Sequence, residues 1–225
     1  MNDHTDTTSH YPVILAGGGL SAQIMAICLT LSDIPFLWCA GEGQKQTSDL
    51  RTTTIHAAGM NMLKALGIAQ KCTETLWPIT DIQVSDNEAA LSRGSRWPLH
   101  WHSSDQPLAY VLRNHDLMQA CERIAAERGC SPSPISLKNI SPERREAADS
   151  QGITYRYDLL VICAGGHSPL IQQAGFNVTD QPAGQTALVG TLRSDIPLHH
   201  TAYQRFLPSG IRVCQPNPIM RGLNF

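Results

Sequence analysis

The stretch YPVILAGGGLSAQIMAICLTL, residues 11–31, predicts a strand, a tight glycine turn and a helix. The apolar run over 12–16 is what a buried parallel strand requires. Beyond the glycines, apolar residues recur at spacings of four, three and four up to Leu31, which marks one face of a helix. The run lacks charge over 12–32, but three adjacent glycines interrupt it and no Lys or Arg precedes it. A membrane span or signal peptide is therefore disfavoured.

The glycine turn fits the pattern G-x-G-x-x-G/A, with Gly17, Gly19 and Ala22 at its three small positions. The first glycine permits the turn, the second lets the backbone approach a pyrophosphate, and the third position packs the helix close to the strand. Phosphates would lie at the helix N-terminus, where N–H groups are unpaired. The candidate phosphate contacts are Gly17, Gly18, Gly19, Leu20 and Ser21.

The composition restricts the function classes. The chain has 225 residues, enough for one large or two small domains, and a formal net charge of −2 offers no reason to expect nucleic acid as a partner. Its seven cysteines include no C-x-x-C pair, which favours buried reduced thiols over disulfides or zinc, and no metal site is expected. Neither a G-x-S-x-G elbow nor a P-loop motif occurs.

Two charged residues follow the second strand, predicted over 34–39. Glu42 is the only acidic candidate for binding a ribose there, and a solvated loop glutamate is an equally good interpretation. A helix is then predicted from Arg51 to Leu66. A cation at a helix start opposes the helix dipole, so either a bound phosphate or a tolerated surface arginine would explain Arg51.

The later chain predicts a helix from Asn114 and a loop over 131–152 with one short strand at 135–137. A second buried strand over 155–163 ends in Ala164 and Gly165, at the strand terminus where α/β folds bring backbone against a ligand. Further strands are predicted over 79–85, 108–112, 184–193, 201–207 and 211–214.

Five segments resemble one family in register, the FAD-dependent aromatic hydroxylases with the para-hydroxybenzoate hydroxylase fold, and among them the ubiquinone-biosynthesis hydroxylases. The segments are VILAGGGLSA, DLRTTTIHAAGMNMLKALGI, LAYVLRNHDLMQAC, YDLLVICAGGHSPLIQQAG and GQTALVGTLRSDIPLHHTAYQRFLPSG. They cover about residues 12–213.

The resemblance implies an α/β fold: a Rossmann-like FAD-binding domain with a parallel sheet, plus the beginning of a mixed or antiparallel substrate-domain sheet. The implied domains are a flexible tail over 1–11, an FAD-binding domain over 12–180 and an incomplete substrate domain over 181–225. Residues 79–112 would contribute to the substrate-side sheet.

The resemblance also implies roles for single residues. Gly17 and Gly19 would cradle the FAD pyrophosphate. Glu42 would hold the adenosine ribose, although the family's acidic position falls on Ala40. Arg51 resembles the family arginine that reaches the flavin side of FAD, and Arg113 lies where the family brings a polar side chain to FAD. The stretch 163–168 resembles the family's A-D-G-x-x-S segment, with Ala164 in place of the aspartate and with Gly165 and Ser168 matching.

The implied activity is an FAD-dependent monooxygenase that uses NAD(P)H and O₂ to hydroxylate an aromatic ring, such as a polyprenylated ubiquinone precursor. This activity is compatible with a cytoplasmic location and with peripheral association with the inner membrane. It is also compatible with a complex with other ubiquinone-biosynthesis proteins. The chain lacks the family's later G-D motif. A truncated, non-catalytic remnant and a plain NAD(P)-binding oxidoreductase therefore stay as alternatives, and no acid/base residue is assigned.

Overall fold

The computed structural model describes residues 9–41, 51–86, 99–192, 194–195 and 197–216. Its elements in chain order are β1 (Ser9–Ala16), α1 (Leu20–Leu31), β2 (Phe36–Cys39), β3 (Thr52–His56), α2 (Ala57–Ala65), β4 (Trp77–Ile79), β5 (Asp81–Ser85), β6 (Leu99–His102), β7 (Ala109–Arg113), α3 (Asn114–Glu127), β8 (Leu137–Ser141), β9 (Glu146–Asp149), β10 (Thr154–Ile162), α4 (Pro169–Gln173), β11 (Thr201–Leu207) and β12 (Gly210–Cys214). The described residues form two compact units, one from 9–41 and 121–186 and the other from 51–120 and 187–216.

The first unit contains a five-stranded sheet in the order β2-β1-β10-β9-β8. β1 pairs in parallel with both β2 and β10, whereas β10, β9 and β8 form an antiparallel meander. The α/β class with a parallel sheet is thus confirmed. β1 begins at Ser9, three residues before the predicted strand, because its first residues pair with β10.

The quoted stretch forms the elements that it predicts. Val13–Ala16 of β1 are all buried, as expected for a strand with neighbours on both edges and apolar side chains on both faces. α1 covers exactly the predicted helix and buries its small residues Ala22 and Ala26 together with Ile27. Small side chains let a helix approach the backbone of its sheet closely. β1 and α1 therefore fix where the glycine turn between them lies.

The second unit contains a four-stranded sheet, β12-β11-β5-β6, and a three-stranded sheet, β3-β7-β4. The strand predicted over 79–85 is in fact two strands, β4 and β5, which belong to different sheets. A buried hydrophobic cluster in this unit consists of Ile79, Ala109 and Val111. The partly buried residues Trp77, Ile82 and Ala202 pack against it.

The helix predicted from Arg51 is wrong at its start. Residues 52–56 form β3, which pairs antiparallel with β7, and α2 begins only at Ala57. Three consecutive threonines have β-branched side chains that favour a strand, and the partner strand supplies the hydrogen bonds. Arg51 therefore precedes a strand, and the argument that a cation opposes a helix dipole there no longer applies.

Two other segments differ from prediction. The loop predicted over 131–152 contains the strands β8 and β9. Conversely, residues 184–192 form no strand, and Leu188 is 96% exposed. β9 is held by pairing on both edges and by the burial of Ala147 in the core, whereas the apolar run over 184–192 pairs with no described strand.

Candidate functional site

The first residue of the glycine turn can only be glycine. Gly17 has φ +131°, and a Cβ atom there would lie 2.3 Å from the Cys163 carbonyl oxygen. Its N–H donates to the Cys39 carbonyl at 2.8 Å, and its carbonyl accepts from the Trp38 indole Nε1 at 2.8 Å. The turn is thus clamped between the ends of β2 and β10, which directs the chain from β1 into α1.

The other two glycines lie at the N-terminus of α1. Gly18 and Gly19 are exposed, and a Cβ atom added at Gly19 would meet no atom within 4 Å. Gly19 caps α1 without a side-chain hydrogen bond, and the first turn carries no acidic residue. The first helical N–H groups, including those of Leu20 and Ser21, have no partner within the helix. Unpaired donors, a helix dipole and open space are the features that bind a phosphate.

The end of β10 lies beside this turn. Ala16 pairs with Ile162, and the Cys163 N–H donates to the Ala16 carbonyl at 2.7 Å. Ala164 and Gly165 follow directly and are exposed. Gly165 has φ +83°, and its Cβ position faces open space. The structure therefore brings these two predicted site residues to the same edge of the sheet as the glycine turn.

A segment predicted to be a loop lies along the end of β2. The Ala40 N–H donates to the Ser133 carbonyl at 3.1 Å, and the Gly41 N–H donates to the Ile135 carbonyl at 2.9 Å. The sequence Ser-Pro-Ser-Pro over 131–134 was the available signal, since a residue before proline favours an extended backbone. Glu42, the predicted ribose ligand, lies outside the described residues.

Burial disfavours the thiolate form of the two cysteines at these strand ends. Burial raises the pKa of Cys39 to about 12, with a further contribution from the charge of Asp149, and burial also raises the pKa of Cys163. Among the residues that the structure describes, no group of His, Cys, Asp and Glu side chains is arranged to hold a metal ion. The described edge of the sheet therefore presents backbone N–H groups and open space beside Gly19.

The remaining predicted residues, Arg51 and Arg113, lie together in the second unit. Thr52 pairs with Arg113 across β3 and β7, and the Asn114 N–H donates to the Arg51 carbonyl at 3.1 Å. The Arg113 guanidinium makes two hydrogen bonds of 2.7 Å to the Asp116 carboxylate. Arg113 is thus held in a fixed orientation by the first turn of α3, through an ion pair that the sequence pattern did not indicate. A role for either arginine toward FAD stays a prediction.

Comparison with known proteins agrees with the resemblance found in the sequence, although no protein-family model matches the chain. The chain is 27% identical over 216 residues to the ubiquinone hydroxylase UbiL of Rhodospirillum rubrum, covering 92% of this chain and 49% of that protein. It is 28% identical to the rat mitochondrial ubiquinone biosynthesis monooxygenase COQ6, covering 92% of this chain and 48% of that one. The chain thus spans about half the length of the curated relatives it matches.

Solved structures agree on the fold. The tetrameric form of 2-methyl-3-hydroxypyridine-5-carboxylic acid oxygenase superposes with a TM-score of 0.68 at 14% identity, over 94% of this chain and 56% of the oxygenase chain. The flavin-dependent monooxygenase PieE, solved with FAD and substrate, superposes with a TM-score of 0.63 at 14% identity, over 95% of this chain and 41% of PieE. The predicted resemblance is therefore confirmed: the chain is similar in sequence to the N-terminal part of the ubiquinone-biosynthesis hydroxylases and has the fold of the FAD-dependent aromatic monooxygenases.

Proposed function

We propose that this chain supplies the FAD-binding part of an aromatic-ring monooxygenase, with the FAD pyrophosphate at the N-terminus of α1. The observation that carries the proposal is the contrast between two neighbouring glycines. Gly17 is needed for the fold because its Cβ position is occupied, whereas the space beside Gly19 is empty. No protein atom occupies the space beside Gly19, and the N–H groups at the start of α1 are unpaired. A phosphate could therefore approach the backbone closely here.

The proposal assigns the phosphate contacts to Gly17, Gly18, Gly19, Leu20 and Ser21. The exposed residues Ala164 and Gly165 present backbone to the same edge of the sheet. Glu42 is proposed for the adenosine ribose, and Arg51 and Arg113 for the flavin side of FAD. When bound, FAD reduced by NAD(P)H would supply the oxygen activation that hydroxylates the ring; the protein supplies binding, orientation and exclusion of water.

The substrate class follows from the curated relatives, one a ubiquinone hydroxylase and the other a ubiquinone biosynthesis monooxygenase. We propose an aromatic ring, and more specifically a polyprenylated ubiquinone precursor. A polyprenyl chain partitions into lipid, so peripheral association with the inner membrane and contact with other ubiquinone-biosynthesis proteins are part of the proposal. No helix within the described part of the chain is long and apolar enough to cross a bilayer.

The direct test is flavin binding by the purified chain. We expect the visible absorption bands of FAD to stay with the protein through gel filtration. Gly19→Ala should weaken FAD binding by about tenfold or more, since a methyl group that displaces a phosphate from its hydrogen bonds costs about 1.5–3 kcal/mol. The thermal stability of the FAD-free variant should change little, because the added Cβ meets no atom.

Gly190→Ala is the matched control, because Gly190 is exposed, lies outside the proposed cofactor segments and also has an empty Cβ position. Equal loss of FAD binding in both variants would refute the assignment of the pyrophosphate to α1. A folded chain that shows no flavin bands at saturating FAD would refute FAD binding and leave the non-catalytic alternative. Retention of NADPH in place of FAD, in the same assay, would instead favour a plain NAD(P)-binding oxidoreductase.

A further inference from the structure

Two arginines face each other on one side of the four-stranded sheet in the second unit. Arg205 of β11 pairs directly with Arg212 of β12, and on its other edge Arg205 pairs with Ser85 of β5. Residues paired directly across strands project from the same face of a sheet, with Cβ atoms about 4.5–5.5 Å apart. Ser85, Arg205 and Arg212 therefore form one row across three strands.

The solvent exposure of the side chains increases along this row. Ser85 is 6% exposed, Arg205 is half-buried and Arg212 is exposed. The Arg205 Nε is inaccessible to solvent and has no hydrogen-bond acceptor. A ligand entering from solvent would thus meet Arg212 first and Ser85 last.

No acid among the described residues neutralises the two arginines, since none has a carboxylate oxygen within 4.0 Å of either guanidinium. Asp81 projects from the same face but pairs with Thr201, four residues before Arg205 on β11, which is about 13 Å along a strand. Its carboxylate accepts hydrogen bonds from His100 and His102, each at 2.9 Å. On this face, the arginine pair and the Asp81 carboxylate therefore lie at opposite ends of the strands.

Like charges placed directly across two strands repel each other, and a buried donor without an acceptor carries a desolvation cost. Both penalties disappear when an oxyanion lies between the guanidinium groups, because a planar guanidinium can donate two parallel hydrogen bonds to a carboxylate or phosphate. We propose that Arg205 and Arg212, with the Ser85 hydroxyl, form a binding site for a small oxyanion, either a carboxylate or a phosphate group. This site is independent of the proposed FAD site.

The test is the stability of the purified chain in inorganic phosphate, in benzoate and in chloride at equal ionic strength and pH 7.5. We expect phosphate or benzoate to raise the melting temperature above the chloride value. At a ligand concentration ten times its Kd, the ratio of folded to unfolded protein rises about elevenfold. Stronger stabilisation by benzoate would identify the source as an organic acid, and stronger stabilisation by phosphate would identify it as a phosphorylated ligand.

Arg212→Gln should abolish the stabilisation by the anion, whereas in low-salt chloride it should leave the melting temperature equal or higher, because it removes the repulsion. Arg205→Lys should weaken anion binding about tenfold, since lysine keeps the charge but lacks Nε. Arg123→Gln, an exposed arginine of α3, is the control and should behave as the unmodified chain. Absence of stabilisation by either anion, or its full retention in Arg212→Gln, would overturn the proposal. Equal loss in Arg123→Gln would also overturn it, because it would show a general charge effect.

Discussion

Replacing Gly17 with alanine tests the central structural claim, that this glycine is needed by the fold itself. The added Cβ atom would lie 2.3 Å from the Cys163 carbonyl oxygen and 2.5 Å from its carbonyl carbon. Both atoms are backbone, so no side chain can turn away to make room. The Cys163 N–H is itself tied to Ala16 by a 2.7 Å hydrogen bond, which resists movement of this strand end.

Two costs add in Gly17→Ala. A φ of +131° is a strained conformation for alanine and costs about 1–3 kcal/mol. Forcing an extra carbon into a packed region costs about another 1–3 kcal/mol. The sum, about 2–6 kcal/mol, is a large part of the about 5–15 kcal/mol by which proteins are stable.

Urea unfolding followed by circular dichroism measures this cost, with Gly19→Ala as the matched variant two residues away. Gly19 has extended backbone angles and an empty Cβ position, so its change should stay within about 0.5 kcal/mol, a small N-cap loss being offset by reduced freedom of the unfolded chain. Unfolding midpoints for Gly17→Ala and Gly19→Ala that agree with each other would refute the reasoning. So would a Gly17→Ala chain as stable as the original.

Three further predictions concern titratable groups. Asp149 is buried and accepts hydrogen bonds from two backbone N–H groups and a tyrosine hydroxyl, which together outweigh burial and lower its pKa. In urea unfolding at pH 7, Asp149→Asn should lower the free energy of unfolding by about 1–3 kcal/mol. This difference from the original chain should shrink as the pH falls below about 4. Burial raises the pKa of Asp81, but hydrogen bonds, the strongest from His100, lower it to about 2, so His100→Ala should raise the titration midpoint of this carboxylate in carbon NMR. Iodoacetamide at pH 8 should alkylate the exposed Cys214 in the native chain and Cys39, whose pKa is about 12, only in urea.

The sign of the Asp149 prediction follows from the direction of its pKa shift. A carboxyl group whose pKa is lower in the folded state stabilises the fold above its unfolded pKa, and that contribution is lost as the pH falls through the folded pKa. Asp158→Asn is the control, because Asp158 is exposed in its ion pair with His10 and should contribute less than about 1 kcal/mol. The Asp149 prediction would be wrong if the stability difference for Asp149→Asn widened in acid. The Asp81 prediction would be wrong if His100→Ala left the Asp81 midpoint unchanged. Labelling of Cys39 in the native chain would contradict the third prediction.

The local sequence pattern was sufficient to predict an element when the residues that specify that element all lie within it. β1, the glycine turn and α1 combine an apolar run, a fixed glycine spacing and a helical repeat within 21 residues, and α1 has the predicted bounds. The same holds for β11, where the predicted and observed bounds agree. The candidate phosphate contacts follow directly from the motif, and they stay a prediction.

The strand, glycine turn and helix that begin the α/β core follow from the sequence, because each depends on neighbours along the chain. Long-range pairing decides which other segments become strands of this sheet. β8 and β9 mix charged and apolar residues, and they are held by backbone pairing and by the packing of Leu137, Ile140 and Ala147 in the core. The apolar residues 184–192 have no described partner strand and form none. The structure alone also placed Ala164 and Gly165 beside Gly17, because residues about 150 positions apart meet only through the pairing of β1 with β10. Backbone hydrogen bonds between distant strands add to what the local side-chain pattern favours, which is why periodicity alone could not reveal these strands.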